Sequence, residues 1–133
     1  MLLIMREEAT LLLNQAKKDF EAGIVNLNNN LLFVAAFLFQ QAAEKSLKAL
    51  WITKLKKLPP LTHNLVRLAE ELGANENIIK CAKILTPHAI LSRYPTRDFA
   101  PYEIYTKEEV EELKSCAEQI IKWTEEQLKS LER

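Results

Sequence analysis

The sequence predicts an all-α fold, an up-and-down bundle of four to five helices. Glycine is scarce, with only Gly23 and Gly73 present, so the tight turns of a sheet protein have few places to form. β-branched runs with strict alternation are few, which removes the ordinary strand signal. Apolar residues instead recur at spacings of three and four over several long windows, the pattern of helices with one buried stripe.

The first helix is predicted over Glu7 to Asn26. Ala9, Leu12, Ala16, Phe20 and Ile24 share its stripe, and Lys17, Lys18 and Glu21 lie outside it. Asn28-Asn29-Asn30 then interrupts the pattern. Asparagine competes for backbone hydrogen bonds and tolerates left-handed conformations, so the trio is expected to close this helix and cap the next. The second helix spans Leu31 to Lys56 and stops before Leu58-Pro59-Pro60, because proline disfavours helix in the residue preceding it. Its first half, Leu31 to Phe39, is apolar all round. Its second half is amphipathic, with Ala43, Leu47 and Leu50 opposite Gln41, Lys45 and Lys48.

Thr62 is predicted to cap a short third helix running to Leu72, with Gly73 as its left-handed stop. The fourth begins near Asn75, carries Ile78, Ile79, Ala82 and Leu85, and is kinked or restarted by Pro87. Ser92 to Tyr105 reads as a loop, since it contains Pro95 and Pro101 and lacks helical periodicity. Thr106-Lys107-Glu108-Glu109 has the form of a capping box. It opens the last helix, whose stripe is Val110, Leu113, Ala117, Ile120, Ile121, Leu128 and Leu131.

Composition narrows the function classes. The 133 residues fit a single domain over 1–133, and 48% apolar content supports a core of ordinary size. Eighteen basic residues balance 18 acidic ones, so the net field draws neither nucleic acid nor an anionic membrane, and a phosphate must be held by local charge. The apolar run at Leu31 to Phe39 is about half of the ~20 residues that a membrane span requires. With no secretory pattern at the N-terminus, a cytoplasmic location is expected. Cys81 and Cys116 have neither disulfide-framework nor zinc-knuckle spacing and read as small core residues. The two histidines and two cysteines are widely scattered and make no metal-ligand set, and two distant glycines cannot build a phosphate loop. No metal or cofactor is therefore expected.

Three separated stretches carry a family resemblance: Gln40-Gln41-Ala42-Ala43-Glu44-Lys45 with Leu47-Lys48-Ala49-Leu50, then Thr62-His63-Asn64-Leu65, then Arg93-Tyr94-Pro95. In order and spacing they resemble the small stand-alone members of the HEPN family, the higher eukaryote and prokaryote nucleotide-binding domain. The resemblance implies a helical bundle that dimerises and is often encoded beside a minimal nucleotidyltransferase. There it serves as a substrate-binding subunit, or as a toxin against a transferase antitoxin. Many members are metal-independent ribonucleases marked by an arginine with a histidine a few residues downstream. This chain departs from that mark: none of its arginines has a histidine at that distance, and His88 precedes Arg93 instead.

The residues themselves single out the loop after Ser92. Arg93 and Arg97 flank Tyr94, with Tyr102 and Tyr105 beyond, and guanidinium groups fork onto phosphate while aromatic rings stack on bases. The structural alternative is a loop held to the bundle by its tyrosines and prolines. His63, at a helix start where the dipole disfavours imidazolium, is a ligand or base candidate or else a packing residue. His88 is expected to pack locally or to approach Arg93. Glu44 is expected to be partly buried, with Arg93 as a plausible partner. The dense cluster of Lys54, Lys56 and Lys57 reads as a solvated helix end, with phosphate contact as the alternative.

The second helix needs cover on two sides, so Val34, Phe37, Leu38, Gln41 and Lys45 are the candidates for a homodimer interface. The preferred function is a binding module that acts with a nucleotidyltransferase-type partner and contacts nucleotide or RNA through Arg93, Tyr94, Arg97 and His63. No catalytic residue is assigned. The alternatives are a ribonuclease toxin with a divergent set such as His63, His88 and Arg93, and an adaptor without ligand.

Overall fold

The computed structural model describes residues 2–132, with side chains from Ile4 onward. Among them lie seven helical segments: α1 (Leu2–Asn28), α2 (Leu32–Leu55), α3 (Leu65–Glu71), α4 (Glu76–Leu85), α5 (His88–Leu91), α6 (Pro101–Ile104) and α7 (Lys107–Leu131). The expected all-α bundle is present, with α5 and α6 as single turns added to the five predicted helices. No helix among the described residues is long and apolar enough to cross a membrane.

α1 and α2 form an antiparallel pair joined by the asparagine turn. Asn30 takes a left-handed φ of 60°. Its N–H donates to Leu27 O at 3.1 Å and the N–H of Leu31 donates to Asn26 O at 2.9 Å, the paired bonds of a helix stop. The trio thus closes α1 as expected, but it does not cap α2. Leu31 occupies that position without a side-chain cap, because the closing turn has already committed Asn30 to the left-handed region. Gly73 repeats the stop after α3, with φ 76° and bonds from Gly73 N to Glu70 O and from Ala74 N to Ala69 O.

The cap of α3 is Asn64, not Thr62. Asn64 Oδ1 accepts from Val66 N at 3.1 Å and from Arg67 N at 3.3 Å, whereas Thr62 Oγ1 accepts from Asn64 N. The helix begins where the fully buried Leu65 docks, and the cap is the residue just before it. Asn75, where the fourth helix was expected to begin, caps α4 through Ile78 N, and Thr106 caps α7 through Glu109 N, the hydroxyl half of the expected capping box. Pro87 restarts the chain as α5.

The predicted Ser92 to Tyr105 loop contains α6. Pro101 stands at its first position and the Glu103 carboxylate accepts from Ala100 N at 3.0 Å. A proline that breaks helix in mid-sequence opens one at this position, and four residues are too few to show periodicity.

The core gathers Phe39, Leu47 and Leu50 of α2 with Leu65, Leu68, Leu85, Val110 and Ile120, all fully buried. Each such side chain contributes about 1.5–3 kcal/mol of burial energy. Cys81 and Cys116 sit in the same core, and burial together with the Cys81 neighbour pushes the Cys116 thiol up to about 12. Phe39 meets α1 at Gly23, where a Cβ would stand 2.5 Å from its Cε1, and it packs on Phe20 with ring centroids 5.4 Å apart.

Gly23→Val is therefore expected to destabilise the fold by about 1–3 kcal/mol through overpacking, more than the ~0.5 kcal/mol that helix propensity returns. Thermal unfolding should show the loss, and Phe39→Leu in the same chain should cost less than it does alone.

Candidate functional site

Residues singled out from the sequence fall into two clusters along α2. At 100° per residue, Phe33, Phe37, Gln40, Glu44 and Lys48 fall within a sector of about 80°. Val34, Leu38 and Lys45 occupy the neighbouring sector.

The first cluster is built on α5. This helix is too short to hold itself, and two side chains fasten its end: Ser92 Oγ donates to His88 O, and Arg93 Nε donates to Ala89 O at 2.7 Å. That bond aims the guanidinium back over α2, 4.9 Å from the Phe37 ring and 5.4 Å from Tyr94. Phe33, Val34, Phe37, Ser92, Arg93, Pro101 and Tyr102 line an open groove of about 390 Å³. Among the described residues Arg93 makes no ion pair. Its remaining N–H groups are free to fork onto an oxyanion above an apolar floor.

Tyr94 and Tyr102 are exposed, while Tyr105 is buried. Arg97 stands apart from the groove, on a turn held by Thr96 N donating to Phe99 O at 2.9 Å. Phe33, Ser92 and Pro101 were missed by sequence reasoning. The i, i+4 pairing of Phe33 with Phe37 is the signal that points to one of them.

The second cluster centres on Glu44, which is 5% exposed. Its partners are not the expected Arg93. His63 Nδ1 lies 2.7 Å from Oε1, Gln40 Nε2 donates to the same oxygen at 3.2 Å, and Lys48 Nζ donates to Oε2 at 3.0 Å. Arg93 is drawn instead to the carbonyl of Ala89 in its neighbouring helix and to Phe37, two turns away along α2. Gln41 Nε2 donates to Gln40 Oε1 at 2.8 Å and extends the network. His63 is thus oriented by a carboxylate through Nδ1, with its side chain 54% exposed.

Lys45 is turned to α1, where its Nζ lies 2.5 Å from Asp19 Oδ2. Lys54 is not solely a solvated helix end, since its Nζ donates to Leu72 O at 2.8 Å and ties α2 to the end of α3.

His88 does not approach Arg93. Its Nδ1 lies 2.7 Å from Tyr105 Oη, with ring centroids 5.4 Å apart. Burial holds the imidazole below its ordinary 6.5, partly opposed by Glu109, and the same burial raises the Tyr105 phenol. As pH falls, the unfolded chain takes up this proton first. The stability is complete above about pH 6.5 and is lost as pH falls through the folded-state value.

Arg93→Ala should change stability by less than ~1 kcal/mol, and its effect should add to that of Glu44→Gln in denaturant titrations, because the two groups share no partner. The fall in melting temperature between about pH 7 and about pH 5 should be smaller in His88→Gln than in the parent chain.

No curated protein matches the chain. Among solved structures it is similar to TT1696 from Thermus thermophilus, at 28% identity and a TM-score of 0.83 over 90% of this chain and 97% of that one. An archaeal HEPN homologue shares 30% identity with a TM-score of 0.79 over 90% and 97%. A HEPN domain protein from Thermotoga maritima shares 26% with a TM-score of 0.70 over 89% and 97%. The HEPN domain model matches residues 9–127, which take in α2, the Glu44 network and the Arg93 groove, and the chain belongs to the HEPN domain family.

Proposed function

We propose that the chain is a binding subunit, a homodimer that contacts nucleotide or RNA and acts with a minimal nucleotidyltransferase-type partner. The observation that carries this reading is the seating of Arg93. One N–H is tied to Ala89 O, the cation lies on Phe37, and the rest of the fork faces an open groove beside Tyr102. An oxyanion is recognised by such a fork and a flat ring by such a floor, the two parts of a nucleotide.

The dimer is supported by the half-buried Val34, Phe37 and Leu38 on α2, with Leu31 exposed at the start of the same segment and Tyr102 exposed across the groove from Val34 and Phe37. Apolar surface gathered in this way marks an interface more often than a solvated face. Gln41 borders this side, whereas the intrachain ion pair of Lys45 leaves it a marginal part. The toxin reading has less support, because His88 is engaged with Tyr105 and His63 lies about two turns of α2 from Arg93.

Light scattering should give a dimer, and Phe37→Glu should dissociate it. Arg93→Ala should weaken nucleotide or RNA binding about tenfold or more while the melting temperature stays near the parent value. A monomer, or binding indifferent to Arg93, would overturn the corresponding half of the reading. RNA cleavage lost on His63→Ala would favour the toxin.

A further inference from the structure

The first turns of α1 and the ends of α2 and α7 converge on a cleft of about 670 Å³, within the range that small-molecule sites occupy. Its origin is a shortage of side-chain bulk. Nearer the asparagine turn, Phe20 and Phe39 fill the space between α1 and α2, whereas here Ala9 and Ala49 meet in one small buried cluster with Ile52. The cleft shares no lining residue with the Arg93 groove. Ala49 stands twelve residues beyond Phe37, which is about 18 Å along α2.

The lining fixes the chemistry of what fits. Its walls are aliphatic: Leu13, Leu128 and Leu131 stand with the two alanines and no aromatic ring is present, so a hydrocarbon tail gains close contact and a nucleobase has nothing to stack on. Its rim is cationic. Arg6, Lys54 and Lys56 outnumber the single acid, Glu132, and among the described residues none of the three cations makes an ion pair. Lys54 donates to Leu72 O, while Arg6 and Lys56 are exposed. The hydroxyls of Thr10 and Thr53 add no donor, because each donates at 3.0 Å to its own helix, to Arg6 O and Ala49 O. A head group that meets this rim must accept hydrogen bonds and carry negative charge.

We propose that this cleft binds a free fatty acid, a flexible alkyl chain with one terminal carboxylate. The tail lies along Leu13, Leu128 and the alanines, and the carboxylate meets Arg6 and Lys56. An anionic phospholipid carries the same two groups, but a bilayer is met by an open face, and this lining is a recess between three helices. The site is independent of the Arg93 groove and of the ligand proposed for it.

The test is calorimetric titration of the intact protein with octanoate, decanoate and dodecanoate, each below its micelle concentration, with the melting temperature as a second readout. Affinity should rise by up to about fourfold per added methylene while the cleft has room. Decyltrimethylammonium, a tail of the same length with the opposite charge, should bind at least about tenfold more weakly than decanoate. The double variant Arg6→Gln, Lys56→Asn should weaken decanoate about tenfold and leave the melting temperature of the free protein near the parent value. Both side chains are exposed, and asparagine suits the left-handed φ of 57° at position 56. Ala9→Leu should block the cleft, and Arg93→Ala should leave decanoate binding unchanged.

Equal affinity for decanoate and decyltrimethylammonium would overturn the proposal, because the rim would then select nothing. Decanoate binding that falls with Arg93→Ala would put the ligand in the groove and overturn it too, as would three acids that neither bind nor raise the melting temperature. Binding to phosphatidylglycerol vesicles through Arg6 and Lys56, without binding of the monomeric acids, would assign the rim to membrane lipid and overturn the fatty-acid reading. Should Ala9→Leu fail to fold, the double variant still decides.

Discussion

The roll of α2 about its own axis is set by a ring meeting a helix that has no side chain to offer. Phe39 fills the place a Cβ of Gly23 would occupy, and Phe20, one turn earlier on α1, packs against its ring. A residue with even a methyl group there would force α1 and α2 apart. Because Phe39 is directed into α1, the residues on the far side of α2, from Phe33 through Phe37 to Glu44, are turned away from α1. The short elements after α2 then cover that side only in part. The groove and the Glu44 network are consequences of this one crossing.

A carboxylate with 5% exposure is costly unless it is paired, and Glu44 is paired by three side chains from two segments. Lys48 balances its charge from the next turn, Gln40 donates from the previous turn, and His63 arrives from the connection before α3. The arrangement joins a helix to a loop through one buried group. It also fixes the ring of a half-exposed histidine. Asp19 and Lys45 make the comparable link between α1 and α2, with Gln15 donating to the second Asp19 oxygen.

The segment between α5 and α7 has anchored ends and an exposed middle. Ser92 and Arg93 bond back to α5, and the buried Tyr105 bonds to His88. α6 adds a proline-started turn whose Pro101 and Tyr102 form one wall of the groove. Residues 93–99 are exposed, so an open segment is carried between anchored ends.

Periodicity was sufficient to locate the long helices, since a buried stripe must recur with the helical repeat whatever packs against it. Asn75, Thr106 and Gly73 also marked their boundaries, because capping and left-handed stops depend on local chemistry alone. The motif residues Glu44, His63 and Arg93 were visible as candidates for the same reason that they resembled a family. What the sequence did not contain was who meets whom. Glu44 and Arg93 looked complementary by charge, yet the Ala89 carbonyl and the Phe37 ring capture Arg93, while the loop before α3 delivers His63 to Glu44. Asn64 displaced Thr62 as a cap because the docking of Leu65 selects where α3 begins. Local patterns settle along a single segment, but side-chain partnership is decided by which segments the core brings together, and only the tertiary structure determines that.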